Sequence, residues 1–125
     1  MEVVMWIIGV LVVIAALRVF KKDSTVKKYY KEVSSNIMNG TMDNKIIEMA
    51  KDGHYAIGGF VTIFLNEATR KAKYSLEEQN LEIDNFNYSM EFVIKDAEKD
   101  IENSLRKRFK VLNVKMDEYG ICSYY

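Results

Sequence analysis

A long apolar run opens the chain and constrains everything that follows it. Residues 3–17 read VVMWIIGVLVVIAAL, fifteen positions without a charge, and Val19 and Phe20 extend the run beyond Arg18. Crossing a hydrocarbon core of about 30 Å takes roughly 20 helical residues at about 1.5 Å of rise each. The eighteen residues from Val3 to Phe20 approach that length. We therefore predict a transmembrane anchor over residues 1–22.

Two other interpretations of the run are a cleaved signal peptide and a buried core helix. A signal peptide needs positive charge before its apolar segment, whereas the only side-chain charge there belongs to Glu2. A small-residue cleavage site is not clear either, because Ala15, Ala16 and Leu17 are followed at once by Arg18. A core helix in a small domain would show a polar face, and these fifteen residues show none. The pattern favours a retained membrane span.

Basic residues flank the run on its C-terminal side alone, at Arg18, Lys21, Lys22, Lys27, Lys28 and Lys31. The positive-inside rule then predicts an N-terminus outside and a C-terminal domain in the cytoplasm. The bilayer is the first predicted partner, and the candidate lipid headgroup contacts are Arg18, Lys21, Lys22, Lys27 and Lys28. Each is worth roughly 1 kcal/mol near an anionic surface. The alternative is that these residues only fix the topology.

The remainder, residues 23–125, is long enough for one soluble domain with its own core and too short for two. Eighteen basic and eighteen acidic residues cancel, so the composition implies no nucleic-acid partner. A single cysteine, Cys122, cannot form an internal disulfide, which agrees with a reducing compartment. The absence of proline permits long helices. We predict a mainly α protein, with an N-terminal transmembrane helix, a small helical bundle and a short C-terminal β-hairpin.

Helical periodicity and capping residues divide the predicted bundle. Asp23-Ser24-Thr25 is a run of N-cap residues, which predicts that a new helix begins there and ends at Asn39-Gly40. A short second helix should end at Gly53, and a third should run from about Tyr55 to Lys73, with its apolar residues at helical spacing. Val26, Tyr29, Tyr30, Val33 and Ile37 form the corresponding stripe of the first soluble helix.

Small residues mark places where helices could pack closely. Gly58 and Gly59 lie inside the third helix, where each costs roughly 1 kcal/mol relative to alanine, so we expect close backbone approach by another helix. In the membrane segment, Gly9 and Ala16 lie two turns apart on one face and could allow the same.

The sequence leaves the secondary structure of residues 74–85 open, whereas it gives a clear prediction for the rest of the chain. Ser75 and Glu78 fit a capping box that would open a new helix, yet residues 81–84 alternate like a strand, so residues 74–85 could be helix, strand or linker. From Phe86 to Phe109, apolar residues step by threes and fours, which predicts a continuous helix. Residues 111–125 indicate a hairpin that must dock elsewhere, because an isolated hairpin is only marginally stable.

Residues suited to catalysis are sparse. His54 is the only histidine, so a Ser-His or His-rich metal site cannot be assembled within one chain. Cys122 has no basic neighbour in sequence to lower the pKa of its thiol. We predict no catalytic site, no cofactor, no metal and no small-molecule substrate, and we keep a hydrolase that uses His54 as an alternative to be tested.

Charge is unevenly distributed along the chain. Between Tyr74 and Ser104 there are nine acidic residues and two basic ones. Helix-dipole matching is one explanation, and a docking surface for a basic partner is the other. The candidate acidic face consists of Glu91, Asp96, Glu98, Asp100 and Glu102. We therefore expect a membrane-anchored, non-enzymatic interaction or accessory subunit that binds other protein subunits. The alternative is a membrane-tethered inhibitor or immunity-type protein whose acidic face occludes a basic enzyme.

Overall fold

The computed structural model describes the backbone of residues 2–124 and, apart from positions 2, 3, 15 and 19, their side chains. About 76% of the chain is helical. The elements in order are α1 (Glu2–Met38), α2 (Asp43–Asp52), α3 (Ile57–Glu78), α4 (Phe86–Ser89), α5 (Glu91–Leu112), β1 (Lys115–Met116) and β2 (Cys122–Ser123). The mainly α prediction with a C-terminal hairpin is confirmed at this level.

Helix α1 is unbroken from Glu2 to Met38, so the predicted helix start at Asp23-Ser24-Thr25 is wrong. N-cap residues are only mildly unfavourable inside a helix, and neither glycine nor proline occurs between Gly9 and Gly40 to break this one. Val26, which follows the three capping residues, is fully buried in the core. The apolar segment and the first bundle helix are therefore one continuous rod.

The second half of α1 forms a three-helix bundle with α3 and α5. Each helix turns one apolar stripe inward, as the sequence spacing predicts. The buried residues are Val26, Tyr30, Val33 and Ile37 on α1, Ile57, Phe60, Val61, Phe64, Ala68, Ala72 and Leu76 on α3, and Ala97, Ile101, Leu105 and Phe109 on α5. Phe60 and Phe109 meet edge to face, with 5.1 Å between ring centroids.

Side-chain contacts show the relative directions of the three helices. Lys22 Nζ donates to Ser89 Oγ at 3.3 Å near the start of α5, and Arg108 Nη1 donates to the Met38 carbonyl at 3.5 Å near its end. Helices α1 and α5 are therefore parallel. Helix α3 returns between these ends, with the Tyr30 and Thr69 hydroxyls 2.6 Å apart at mid-height. The end of the bundle nearest the apolar segment thus carries the C-terminus of α3, α4 and the start of α5.

The ambiguous stretch resolves into the end of α3 followed by a connection. Helix α3 runs to Glu78, past the predicted end at Lys73, so the capping box at Ser75 is wrong. Burial of Leu76 in the core keeps this turn helical, because packing of an apolar face contributes more than a local capping preference. Asn80 and Asn85 then take left-handed conformations, which asparagine tolerates, and turn the chain toward α4.

The predicted continuous helix from Phe86 is interrupted at Met90, which separates α4 from α5. Phe86 and Met90 both remain buried on the predicted stripe. At the other end, α5 continues through Leu112, so the predicted strand at residues 111–116 is reduced to Lys115–Met116. Asn113 ends the helix in a left-handed conformation.

The hairpin docks on the connection between α2 and α3. Strands β1 and β2 are antiparallel, with Met116 opposite Cys122. The Cys122 amide donates to the Tyr55 carbonyl at 2.8 Å, and the Ile57 amide donates to the Gly120 carbonyl at 3.0 Å. These bonds give the hairpin the docking partner that a two-stranded unit needs.

An ion pair between Asp43 and Arg108, which we call the clamp, lies where the ends of α1 and α5 meet the start of α2. Arg108 Nε donates to Asp43 Oδ1 at 2.8 Å, and Arg108 Nη2 bonds the other carboxylate oxygen. Gly40 makes room for this pair: its φ is 91°, and a Cβ there would lie 2.8 Å from Arg108 Nη2. The glycine that was predicted to end the helix also allows the clamp to form.

Acid should weaken this clamp. The hydrogen bond from Arg108 lowers the pKa of the Asp43 carboxyl below its ordinary value of 3.8. The Asp43–Arg108 pair therefore stabilises the folded protein at a pH above the pKa that Asp43 has in the unfolded chain. This stabilisation is lost as the pH falls through the lowered pKa of Asp43 in the folded protein. We expect Asp43→Asn to be less stable than wild type near neutral pH and to lose less stability below about pH 4, in urea unfolding across pH. Asp52→Asn, at an exposed end of α2, is the control. A parallel pH profile for Asp43→Asn and wild type would contradict this role.

Candidate membrane and partner surfaces

The first half of α1 stands clear of the bundle. The described side chains from Val4 to Phe20 are all exposed, with Trp6 at 76% and Phe20 at 73%. By length and composition, α1 is apolar and long enough to cross a membrane. A Cβ added at Gly9 would meet no described atom within 4 Å, and Ala16 is exposed. Close packing at Gly9 and Ala16 therefore stays a prediction that requires another chain.

The basic residues after the apolar segment divide into two groups. Arg18, Lys21 and Lys28 are exposed, as expected of residues that can reach lipid headgroups. Lys22 is half-buried and bonds Ser89, and Lys27, although also exposed, borders a cleft shared with α5. Headgroup contact by all five predicted residues stays a prediction, but the structure gives two of them contacts or neighbours within the bundle.

The candidate acidic face lies on two flanks of α5. Asp96 and Asp100 line the cleft beside α1, together with Lys27, Tyr30 and Lys31. Glu98 and Glu102 lie on the other flank, beside α3. The sequence contains this division, because residues two apart on an α-helix differ by about 200° around its axis. Glu91 is displaced toward the start of α5, where its carboxylate pairs with Lys95 at 3.1 Å.

An open groove lies between α3 and α5, and we call it the α3–α5 groove. Its lining residues are Gly58, Val61, Thr62, Leu65, Glu98, Lys99 and Glu102, around a volume of about 360 Å³. Glu102 also pairs with Arg106 at 3.5 Å, the predicted contact one helical turn apart. Sequence reasoning identified its glycine and its carboxylates separately, and only the tertiary structure places them together.

Gly58, which lines this groove, and its neighbour Gly59 do not pack closely against another described helix. A Cβ at Gly58 would meet no described atom within 4 Å, and a Cβ at Gly59 would make an ordinary 3.5 Å contact with the Tyr55 ring. The expected close approach is therefore not made within the described part of this chain. Approach by another chain stays a prediction, and the open floor at Gly58 leaves space for it.

The two residues considered for chemistry differ in exposure. His54 is exposed in the connection between α2 and α3, whereas Cys122 is buried in β2. Within residues 2–124, no group of three or more His, Cys, Asp or Glu side chains could hold a metal ion. Burial raises the pKa of the Cys122 thiol to about 11, so the thiol is protonated at neutral pH. Its weak hydrogen bond goes to the Gly120 carbonyl at 3.6 Å.

The buried thiol provides a test of hairpin docking. We expect Cys122 to react slowly with a maleimide near neutral pH, because the thiolate is the reactive form and the side chain is inaccessible. Mild urea that opens the hairpin should accelerate labelling, as followed by mass spectrometry. Glu118→Cys, at the exposed turn of the same hairpin, is the matched fast-reacting control. Equal labelling rates at positions 118 and 122 in the folded protein would overturn the docked arrangement.

Neither the sequence nor the fold supplies a relative for comparison: no protein-family model, no curated protein and no solved structure matches the chain.

Proposed function

We propose that this protein is a single-pass, membrane-anchored, non-enzymatic interaction or accessory subunit of a membrane-associated complex. The observation that carries the proposal is the division of one unbroken helix. The described part of α1 from Val4 to Phe20 is an exposed apolar rod, and its second half supplies a buried stripe to the bundle core. A soluble protein has little reason to expose a contiguous apolar surface of this size. The acyl chains of a lipid bilayer would cover this apolar surface.

The proposed orientation places the bundle in the cytoplasm and the N-terminus outside. Support comes from the basic residues that follow the apolar segment. Because α1 continues into the core, the bundle would be held at a fixed height above the bilayer instead of moving on a flexible linker. A fixed height suits a subunit that meets membrane-embedded partners.

Cysteine labelling in intact cells tests both the span and its orientation. Cys122 is buried, so the wild-type background should be low. We expect a membrane-impermeant maleimide to label Glu2→Cys in intact cells and to label Glu118→Cys only after permeabilisation. Labelling of Glu118→Cys in intact cells would show that the bundle lies outside and would contradict the proposed orientation. Release of the wild-type protein from membranes by carbonate extraction would overturn the anchor itself.

We place the partner contact at the α3–α5 groove. Leu65 is half-buried and provides apolar surface at this groove, while Glu98 and Glu102 lie beside it on α5. A helix with one apolar side and a basic flank would complement this combination, since complementary charge increases association rate and specificity. Asp96 and Asp100 are less suited to the same partner, because their cleft contains two lysines, Lys27 and Lys31, whereas the α3–α5 groove contains one, Lys99.

Charge reversal tests whether a partner binds the α3–α5 groove in particular or responds only to the overall negative charge of the bundle. We expect Glu98→Lys/Glu102→Lys to lose integral membrane subunits that co-purify with the wild type in mild detergent. Glu48→Lys/Glu118→Lys, with the same charge change at exposed positions elsewhere, should keep them. Equal loss from both double variants would remove the groove from the proposal. Co-purification of a soluble basic enzyme instead would favour the inhibitor or immunity-type alternative.

A further inference from the structure

Large aromatic side chains are exposed at the end of the bundle that lies beside the apolar segment. Tyr88 on α4 is 84% exposed, and Phe92 on α5 is 82% exposed. Phe20, the last residue of the apolar segment, is 73% exposed. We call these three residues the membrane-end aromatics. Their exposure contrasts with Phe60, Phe64, Phe86 and Phe109, each of which is at most 3% exposed in the core.

The contact between α1 and α4 shows which end of the bundle carries this cluster. Lys22 Nζ donates to Ser89 Oγ at 3.3 Å, so Ser89 lies within reach of the Lys22 side chain, two residues after Phe20. Tyr88 precedes Ser89, and Phe92 lies three residues beyond it on a helix that runs parallel to α1. Phe20 lies one turn or less before Lys22, and Phe92 lies in the first turn of α5, so both are at the end of the bundle nearest the apolar segment.

With the apolar segment in the hydrocarbon core, this end of the bundle faces the lipid headgroup layer. The polar region of a bilayer adds roughly 5–7 Å on each side of the hydrocarbon core. An apolar segment of eighteen residues spans about 27 Å, which leaves little excess length for tilt. Side chains on a helix lean toward its N-terminus, and the N-terminus of α5 is the end that faces the apolar segment. Phe92 therefore leans toward the bilayer.

We propose that the membrane-end aromatics rest in the headgroup layer, so that the bilayer surface is a second contact of the folded bundle. This inference depends on the membrane span of the proposed function. Aromatic side chains favour the interface between lipid and water, where a ring is partly desolvated. Tyr88 and Phe92 contact the leaflet that Phe20 leaves, and α1 supplies the rigid connection that holds them there.

Charge argues that the contact does not depend on anionic lipid. The same end of the bundle carries Glu78, Asp84 and Glu91 as well as the lysines of α1. Attraction of the lysines to an anionic surface is therefore opposed by nearby carboxylates. The occupant to which we commit is the headgroup layer of a zwitterionic phosphatidylcholine bilayer.

Depth-dependent quenching of a single tryptophan tests the contact in the full chain. In a Trp6→Phe background, Tyr88→Trp and Phe92→Trp place the probe at the membrane end, and Tyr119→Trp places it at the hairpin turn. Tyr119 is 80% exposed, so the three positions are matched in accessibility and differ in height. The variants are reconstituted in phosphatidylcholine vesicles that contain a headgroup-labelled nitroxide lipid.

We expect several-fold stronger quenching at positions 88 and 92 than at position 119. Equal quenching at all three positions would overturn the lipid contact. Protection of positions 88 and 92 from both the nitroxide lipid and aqueous acrylamide would also overturn it, because a protein surface would then cover them.

Wild-type Trp6 separates failure of this inference from failure of the anchor. Quenching of Trp6 by acyl-chain brominated lipid, without quenching at position 92, would leave the span intact and remove the surface contact. Absence of Trp6 quenching would contradict the membrane span, and therefore both the proposed anchor and the proposed headgroup contact.

Discussion

The unbroken hydrogen-bond ladder of α1 is the constraint on which the rest of the structure depends. Its 37 residues join an exposed apolar segment to a buried core stripe without a hinge. A flexible linker would leave the bundle free to rotate above a membrane, whereas a continuous helix fixes both its height and its rotation about the helix axis. Every surface of the bundle therefore has a defined relation to the apolar segment, which gives the membrane-end aromatics and the α3–α5 groove their functional interest.

The end of the bundle far from the apolar segment is held by directional contacts. The Asp43–Arg108 pair joins the start of α2 to the end of α5, and the hairpin bonds the connection before α3 through backbone amides. Lys51 also lies over the ring of Tyr124, 5.7 Å from its centroid, next to the hairpin. These contacts connect segments that are distant in sequence.

Net neutrality conceals an organised charge distribution. The carboxylates of α5 divide between a cleft that contains Lys27 and Lys31 and a groove that contains Gly58 and Leu65. The first set shares its cleft with those two lysines, whereas the second shares its groove with one lysine, Lys99, and with the half-buried Leu65. Because a partner gains specificity from charge beside apolar contact area, the second set is the better candidate for recognition.

The sequence by itself determined the apolar segment, the helical class and nearly every buried stripe, because apolar spacing of three and four residues needs no knowledge of the partner helix. Tertiary structure decided the boundaries. The capping residues at 23–25 and at Ser75 lie inside helices, since burial of Val26 and Leu76 stabilises those turns more than a local cap would. It also decided which carboxylates meet which neighbours and which aromatics stay outside. Such pairings arise only when helices distant in sequence come together, so the groove and the membrane-end aromatics are properties of the packed bundle.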